Sequence, residues 1–469
     1  MNDHGPKNLR AAGKWAYAGE FAGRVAQPLV LLALARVLTP DDFGVATMAT
    51  IVVSFAQVFW EAGLARALVQ KEMPPQQVHE AATTAVWANL LVSLFLYAVV
   101  FALAKPIAQA FGDARAEALI RVQALAIPVM AVSAVLLALF QRELNFRPIF
   151  LSRVGAALAP GLVGVPLALT GSGYWALVVG SIAGALIQAA ILLRHTVGRF
   201  RLAWSSDRIR DLLPFATWSA GEGVLSWSML WLDTIVVGVA LSSHDLGLYR
   251  TGSMAVILAF GLAIGALMPV LFSALSRLQT DVAAMHAAFA RALKGVAFVA
   301  MFVAALAFAA PAEVSVLVLG APWKELGLIV HYLAIMHGIG WLVAPNVELY
   351  RAMGRPDINT KVIAGCMLFY VPLLVWAGQR GLETFLVMRL LVGALGLLVH
   401  IVVAWRAVGW FVLCGVAAGA AGMVVRSISG FGHLPRALLA GGAAAGVFAL
   451  FAWKERAFLA ALVSRRSET

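Results

Sequence analysis

The chain has 469 residues, 62% of them hydrophobic and only 12% charged. A soluble domain carries about 25% charged residues, so this composition excludes a soluble globular protein. The net charge of +12 does not point to nucleic acid, because Lys and Arg sit in the connections between apolar runs, where they orient helices against a membrane.

Residues 1–13 are polar and basic (Lys7, Arg10) and lead into an apolar stretch from Trp15 to Leu38. Glu20 and Arg24 interrupt that stretch, it is too long for a signal-peptide core, and no convincing cleavage site follows, so it reads as a retained first helix. Thirteen further runs are long enough to cross an apolar core of about 30 Å. They fall near 43–66, 80–104, 117–140, 149–170, 174–194, 211–241, 246–275, 288–311, 324–351, 358–378, 382–405, 408–426 and 434–453. The expectation is an all-α polytopic membrane protein with about fourteen transmembrane helices. Cys366 and Cys414 both lie inside apolar runs and read as small core residues.

The first connection, Leu34-Ala35-Arg36-Val37-Leu38-Thr39-Pro40-Asp41-Asp42-Phe43-Gly44, is a tight turn between two apolar helices. Pro40 presets φ, and Asp caps the next helix by accepting from its free N–H groups. A second copy follows as Val239-Ala240-Leu241-Ser242-Ser243-His244-Asp245-Leu246-Gly247. At an offset of 203, Leu38, Asp42 and Gly44 meet the identical Leu241, Asp245 and Gly247. With the helix pattern around it, this reads as an internal duplication. Six helices separate the copies, so both have the same orientation, and the halves form two parallel six-helix lobes. The expected division is 1–205 for helices 1–6, 206–405 for helices 7–12, and 406–469 for two additional helices and a tail.

Lys and Arg number 24 at the two termini and in the connections after even-numbered helices, against 10 in the others. The excess assigns both termini to the cytoplasm.

No G-x-x-x-x-G-K-[ST] loop is present, and His79-Glu80-Ala81-Ala82-Thr83 lacks the second His of a zinc helix, reading as a polar helix end. The expectation is no catalytic residue, no metal and no cofactor, with transport drawing on an ion gradient, a downstream sink or a partner.

Several stretches carry a family resemblance: Leu34–Gly44 with Ala62–Gln70, Phe140–Phe146, Gly171–Val178, Leu232–Gly238, Gly247–Tyr249, Pro269–Arg277, Leu319–Trp323 and Ala352–Pro356. In order and spacing the chain resembles the Wzx-type polysaccharide flippases of the multidrug/oligosaccharidyl-lipid/polysaccharide exporter superfamily, particularly the colanic-acid-exporter-like branch. The resemblance implies alternating-access flipping of a polyprenyl-diphosphate-linked oligosaccharide across the bacterial inner membrane, for exopolysaccharide, capsule or O-antigen synthesis. Its partners would be that lipid, membrane lipids and polysaccharide assembly proteins. Two alternatives stay open: a cation-coupled multidrug exporter of the same superfamily, and a membrane polysaccharide polymerase or glycosyltransferase.

Such a substrate needs a cationic path for its diphosphate. Arg24 in the first helix leads, because a guanidinium pairs bidentately with phosphate, although Glu20 one turn earlier could simply neutralise it. Arg250 and Arg389 support it; Arg36, Arg66 and Arg277 lie at helix ends, where they snorkel to headgroups. The related lipid II flippases carry an arginine further into the eighth helix where this chain has Gly252. Aromatic faces and amides for sugar come from Gln27, Gln57, Trp60, Trp218, Trp227 and Trp231, although Trp is also an ordinary interface anchor. Glu222 and Asp233 are spaced by almost three whole turns with Ser226 between, and His337 and Glu348 repeat the spacing. Glu222, Asp233 and His337 are candidates for ion coupling, or members of a hydrogen-bond network clamping the seventh helix. Gly180/Gly184, Gly19/Gly23, Gly261/Gly265, Gly415/Gly419 and Gly442/Gly446 have the spacing of close helix packing.

Overall fold

The computed structural model describes residues 6–61, 63–70, 74–196, 204–354 and 357–394. The chain runs through α1 (Pro6–Ala35), α2 (Pro40–Glu61), α3 (Leu64–Gln70), α4 (Pro75–Ala110), α5 (Arg115–Gln123), α6 (Ala126–Arg142) and α7 (Phe146–Ala159). A π-turn (Pro160–Gly164) leads into α8 (Val165–Leu169), followed by α9 (Trp175–Thr196), α10 (Ser206–Ala240), α11 (Ser243–Ile264) and α12 (Leu267–Ser276). Then come α13 (Val282–Ala309), α14 (Pro311–Leu319), α15 (Leu326–Gly340), α16 (Ala344–Ala352), α17 (Asp357–Gly378) and a helix over 382–394. No strand occurs among the described residues, and nine helical stretches there are long and apolar enough to cross a membrane. Each of the first eleven expected spans coincides with one or more of these helices, and the twelfth, 382–405, is helical over 382–394, with 395–405 outside the described residues. The expected helices 408–426 and 434–453, and Cys414, lie outside the described residues.

Five expected single helices are each interrupted, four of them beside a proline. The break between α5 and α6 lies just before Pro128, that between α11 and α12 before Pro269, and that between α15 and α16 before Pro345; the π-turn begins at Pro160. Proline has no N–H and its ring clashes with the carbonyl four residues back, so an apolar run can stay unbroken where its helix cannot. The second helix of each half is broken at matching places, between Glu61 and Leu64 and between Ile264 and Leu267.

By packing, the chain divides into two compact units, 1–247 and 248–469. In the first, α7 lies between α1 and α9, and α10 packs on α2, α3 and α4. The inner packing of α3, α4, α6 and α10 is built from small residues: Ala65, Ala81, Ala85, Ala88, Ala138 and Ala216, with Leu68 and Leu139. Small side chains bring backbones close, which is where helix association in lipid finds its attraction. Gly180 and Gly184 serve this use, because a Cβ there would stand 3.0 Å from Pro160 Cα and 2.9 Å from the Ala156 carbonyl. Gly23 and Gly261 have open space instead, so those pairs make no such contact on both members. In the second unit Leu271, Leu275, Met285 and Ala352 form a core between α12, α13 and α16.

The two duplicated turns meet within the first unit. Thr39 caps α2: the Asp42 carboxylate accepts from the Thr39 N–H (2.9 Å) and hydroxyl (2.7 Å), and the Asp42 N–H donates to Thr39 Oγ1 (3.3 Å). Ser242 and Asp245 repeat the motif before α11, at 3.3, 2.7 and 3.1 Å. These are capping boxes, so the Asp binds back to the cap residue rather than capping the helix itself. Between them Gly44 and Gly247 cross. A Cβ on Gly44 would fall 1.7 Å from the Ser243 carbonyl oxygen, and one on Gly247 would fall 1.7 Å from that of Pro40.

Both atoms are backbone and cannot swing aside. Gly44→Ala and Gly247→Ala should therefore each destabilise the protein by about 3 kcal/mol or more. Gly261→Ala, which meets open space within a helix, should be neutral or stabilise by about 0.5–1 kcal/mol. Thermal unfolding of detergent-solubilised variants checks the contrast.

Candidate functional site

In the first unit the polar groups gather along the seam of α2 and α10. The Trp227 indole N–H donates to Ser54 Oγ at 3.0 Å, and the Trp227 ring meets Phe55 edge-on at 4.8 Å between centroids. Phe55 in turn meets Phe59 at 5.5 Å. Ser54, Gln57 and Glu61 share one face of α2 by helical spacing, and the Gln57 amide donates to Glu61. The seam is thus a strip of aromatic rings, an amide and a carboxylate, with Phe55 and Glu61 exposed.

Trp60 is not part of that strip. It is 1% exposed and a core residue, so it presents no ring face to a sugar. Trp231 is also buried, while Trp218 is 84% exposed. Gln27 is exposed on α1, whose main packing partner is α7, whereas the Gln57 strip faces α10. Arg24 and Glu20 lie in α1, but their side chains fall outside the described residues. Arg36, Arg66 and Arg277 are exposed at helix ends, as snorkelling requires.

Glu222 and Asp233 lie on one continuous helix and keep their shared face, but their surroundings differ. Asp233 is buried, and its carboxylate accepts from the Thr234 N–H at 2.7 Å. Glu222 is exposed and makes no hydrogen bond or ion pair among the described residues. It lies five residues from Trp227, about 140° round the helix from the α2 contact. Its neighbours on that side, Phe215, Trp218, Leu225 and Met229, are exposed and apolar. Eighteen residues separate it from Ala240, about 27 Å along the axis. A bilayer whose apolar core begins at the duplicated turns therefore ends close to Glu222.

In the second unit Arg389 stands within an aromatic collar. Its guanidinium carbon lies 5.3 Å from the centroid of the fully buried Tyr249, and its Nε–H reaches the Tyr370 hydroxyl at 3.5 Å. Tyr249 is fixed in turn by an edge contact with Phe385 at 5.6 Å. Arg250 follows Tyr249 directly and is half-buried about 100° round α11. His337 is half-buried, its Nδ1 3.1 Å from the Leu333 carbonyl, with Phe260 beside it at 6.0 Å. The repeated His337/Glu348 spacing does not place them on one face, because the break at 341–343 separates α15 from α16 and Glu348 pairs with Arg351 at 3.1 Å. A pocket of about 590 Å³ also opens in this unit, lined by Lys324, Glu325, His331, Leu328 and Leu382; none of the predicted residues lines it. No group of three or more His, Cys, Asp or Glu able to hold a metal occurs among the described residues.

Sequence reasoning missed one cluster altogether. Arg115, at the start of α5, forks onto Asp41 with N–O distances of 2.6 and 3.0 Å and also reaches Asp113 at 2.7 Å. It donates to the Ser243 hydroxyl at 3.2 Å, and that hydroxyl donates to Asp41. The Tyr174 ring lies 5.8 Å from the guanidinium. Burial pushes the Asp113 carboxyl up, but hydrogen bonds from the Arg115 side chain and N–H outweigh it and hold the group below the usual carboxylate range. Its contribution is therefore complete at neutral pH and is lost only as strong acid protonates it. The signal was available: one Asp suffices for each capping box, so Asp41 beside Asp42 is a spare carboxylate.

Comparison with known proteins decides the family. The sequence profile described as "Polysaccharide biosynthesis protein" matches residues 33–327, more than half of the chain. The chain belongs to that family. Its relatives include the succinoglycan biosynthesis transport protein ExoT of Rhizobium meliloti (strain 1021), 29% identical over 251 residues. That match covers 53% of this chain and spans half the length of ExoT. The lipopolysaccharide biosynthesis protein WzxC of Escherichia coli (strain K12) is 25% identical over 360 residues, covering 74% of this chain and 70% of WzxC. In fold this family member is similar to the lipid II flippase MurJ in an inward closed conformation, with a TM-score of 0.76 and 14% identity. That similarity covers 95% of this chain and 99% of MurJ. An inward-facing multidrug resistance transporter of the MATE family, within the MOP superfamily, matches with a TM-score of 0.64 and 12% identity, covering 82% and 95% of the two chains. The fold is that of this class of membrane transporters.

The contrast between the two α10 carboxylates is open to measurement. Glu222→Gln should leave the melting temperature unchanged, because no folded-state partner is lost. Asp233→Ala should lower stability by about 1–3 kcal/mol, because the buried Thr234 N–H loses its side-chain acceptor. Thermal unfolding of the two variants beside the wild type gives the result.

Proposed function

We propose that this protein flips a polyprenyl-diphosphate-linked oligosaccharide across the bacterial inner membrane, by alternating access, for synthesis of a surface polysaccharide. The reading is carried by the family match over residues 33–327 on a fold similar to a lipid II flippase over 95% of the chain. ExoT and WzxC, named for succinoglycan and lipopolysaccharide biosynthesis, support the same cargo class. The activity is transport rather than catalysis.

In this reading Arg24, Arg250 and Arg389 receive the diphosphate, each a guanidinium on a helix expected from the sequence to cross the membrane and able to pair bidentately with phosphate. Gln27 and Gln57 contribute amides for the sugar head, and Trp227 takes the aromatic role that buried Trp60 does not fill. Among the coupling candidates Glu222, Asp233 and His337, exposed and unpartnered Glu222 is best suited to exchange a proton or Na⁺ with its surroundings. Both termini are assigned to the cytoplasm by the Lys and Arg distribution, and the lobes to 1–205 and 206–405 by the duplication.

Two experiments test the reading. In a strain lacking the gene, Arg24→Ala should abolish polymer export at unchanged protein level, with Arg24→Lys restoring only part because the fork geometry is lost. Normal export by Arg24→Ala places the diphosphate elsewhere, whereas loss of the protein from the membrane assigns Arg24 to pairing with Glu20. For topology, single cysteines at Ser172 and Ser243 should react with impermeant maleimide from outside and one at Ser205 should not. The opposite labelling reverses the orientation.

A further inference from the structure

The pocket of about 590 Å³ in the second unit takes no part in the roles assigned above. It is framed where helices begin. Leu248 lies in the second turn of α11, Ala312 opens α14, Lys324, Glu325 and Gly327 stand at the start of α15, and Leu382 opens the helix over 382–394. Its size falls in the range of small-molecule sites, about 300–1,000 Å³.

The first half holds a filled counterpart of this place. At an offset of 208, Gly112, Glu117 and Gly173 meet the identical Gly320, Glu325 and Gly381, and all four glycines have positive φ. In the same register Arg115 becomes Trp323, Tyr174 becomes Leu382 and Gln123 becomes His331. In the first half the Tyr174 ring lies beside the Arg115 guanidinium, and the Gln123 amide donates to Thr50 at 3.3 Å. In the second half Trp323 is withdrawn completely into the core, while Leu382 and His331 line the cavity. The duplication has kept the turns and left the space open.

The walls select a ligand chemistry. Leu248, Leu328 and Leu382 are apolar; the Lys324 ammonium only donates, the Glu325 carboxylate only accepts, and the His331 ring can do either. An anion meets Glu325, a cation meets Lys324, and an apolar ligand strips water from both charges without replacing it. A sugar satisfies all of them, because its hydroxyls donate and accept while its C–H face is apolar. The polar groups are also set in advance. The His331 ring lies on Phe308 with centroids 3.5 Å apart, and the neighbouring Tyr332 hydroxyl is fixed on Glu383 at 3.3 Å. The Lys324 ammonium makes no hydrogen bond or ion pair among the described residues, so no native contact is lost when it donates to a ligand. Groups held in place before the ligand arrives lose less entropy on binding.

We propose that this pocket is a sugar site on the exit side of the transporter, where Lys324, Glu325 and His331 bind hydroxyls of the oligosaccharide head and the leucines meet its C–H face. The inference rests on the flippase reading above and adds to it where the head is held. In the proposed topology these helix starts lie at the outer face, so the head reaches the pocket after it has crossed.

The test uses full-length protein in nanodiscs and the soluble oligosaccharide that mild acid releases from the host's own polyprenyl-diphosphate lipid. Saturation-transfer NMR should show its sugar protons in contact with the wild type. Lys324→Ala should weaken binding about tenfold, as loss of one hydrogen bond to a charged group does. Leu328→Trp, which fills the pocket from a partly exposed position, should abolish binding, and both variants should keep the wild-type melting temperature. Equal binding by wild type and Leu328→Trp, or none by the wild type, overturns the proposal. So does displacement of the sugar by inorganic diphosphate or glycerophosphoethanolamine, which makes the pocket a phosphate or lipid-headgroup site. If Leu328→Trp does not fold, Lys324→Ala decides, and unchanged affinity there sinks the sugar site. Flipping of the intact lipid in proteoliposomes keeps the two readings apart. A wild type that moves no lipid fails the flippase reading, while the oligosaccharide titration still decides the pocket.

Discussion

The structure depends on two backbones coming closer than any side chain permits. At Gly44 and Gly247 the space a Cβ would occupy is filled by the carbonyl oxygen of the opposite turn. The glycine hydrogen there points at that oxygen, a weak attraction repeated on both sides of the crossing. In lipid no hydrophobic effect drives helices together, so such contacts, with the alanine-rich packing of α3, α4, α6 and α10, carry a large share of the association. The capping boxes make the crossing possible. By fixing where α2 and α11 begin, they set which residue of each first turn faces the other.

The same economy recurs at the other end of the helices. Arg142, closing α6, donates to the Leu68 carbonyl on α3 at 2.6 Å, and Gln279, just beyond α12, donates to the Ala352 carbonyl on α16 at 2.7 Å. In each half a polar side chain covers a carbonyl that a helix end leaves without an intrahelical donor. The donor comes from the fourth helix in the first half and from the helix corresponding to the second in the other. The duplication has kept the joint and exchanged its members. Arg208, bonding Glu80 at 3.2 Å, ties α10 to α4 in the same way and accounts for the polar start of α4 that faintly resembled a zinc helix.

Much of this was legible in the sequence, for identifiable reasons. Membrane-crossing helices satisfy their backbone groups internally and need apolar length, so nine of the expected spans could be read from runs of apolar residues alone. The turn was legible because capping and close approach tolerate few residue types, and Thr/Ser, Asp and Gly recur at fixed spacing. The interruptions at Pro128, Pro269 and Pro345 were not, since hydropathy is blind to one missing N–H. That blindness made His337 and Glu348 look like a helical pair across α15 and α16. Trp60 failed differently: spacing says which residues share a face, not whether that face meets a neighbour or a cleft. Arg115 escaped because Asp41 and Ser243 lie 74 and 128 positions away in sequence, and no periodicity connects them to it.

The crossing of Gly44 and Gly247 is reciprocal: residue i of one turn meets residue j of the other, and j meets i. That is the signature of an isologous contact, the kind two identical subunits make about a twofold axis. A chain of half this length, carrying one such turn, would pair with a copy of itself through the same surface. Fusing two halves end to end removes the requirement that they stay identical, and the turns have used that freedom. Asp41 faces Arg115 in one copy while His244 holds the matching place in the other, so a single arginine can bind asymmetrically across an arrangement that remains symmetric in its backbone. A homodimer would have to form such a connection twice or not at all.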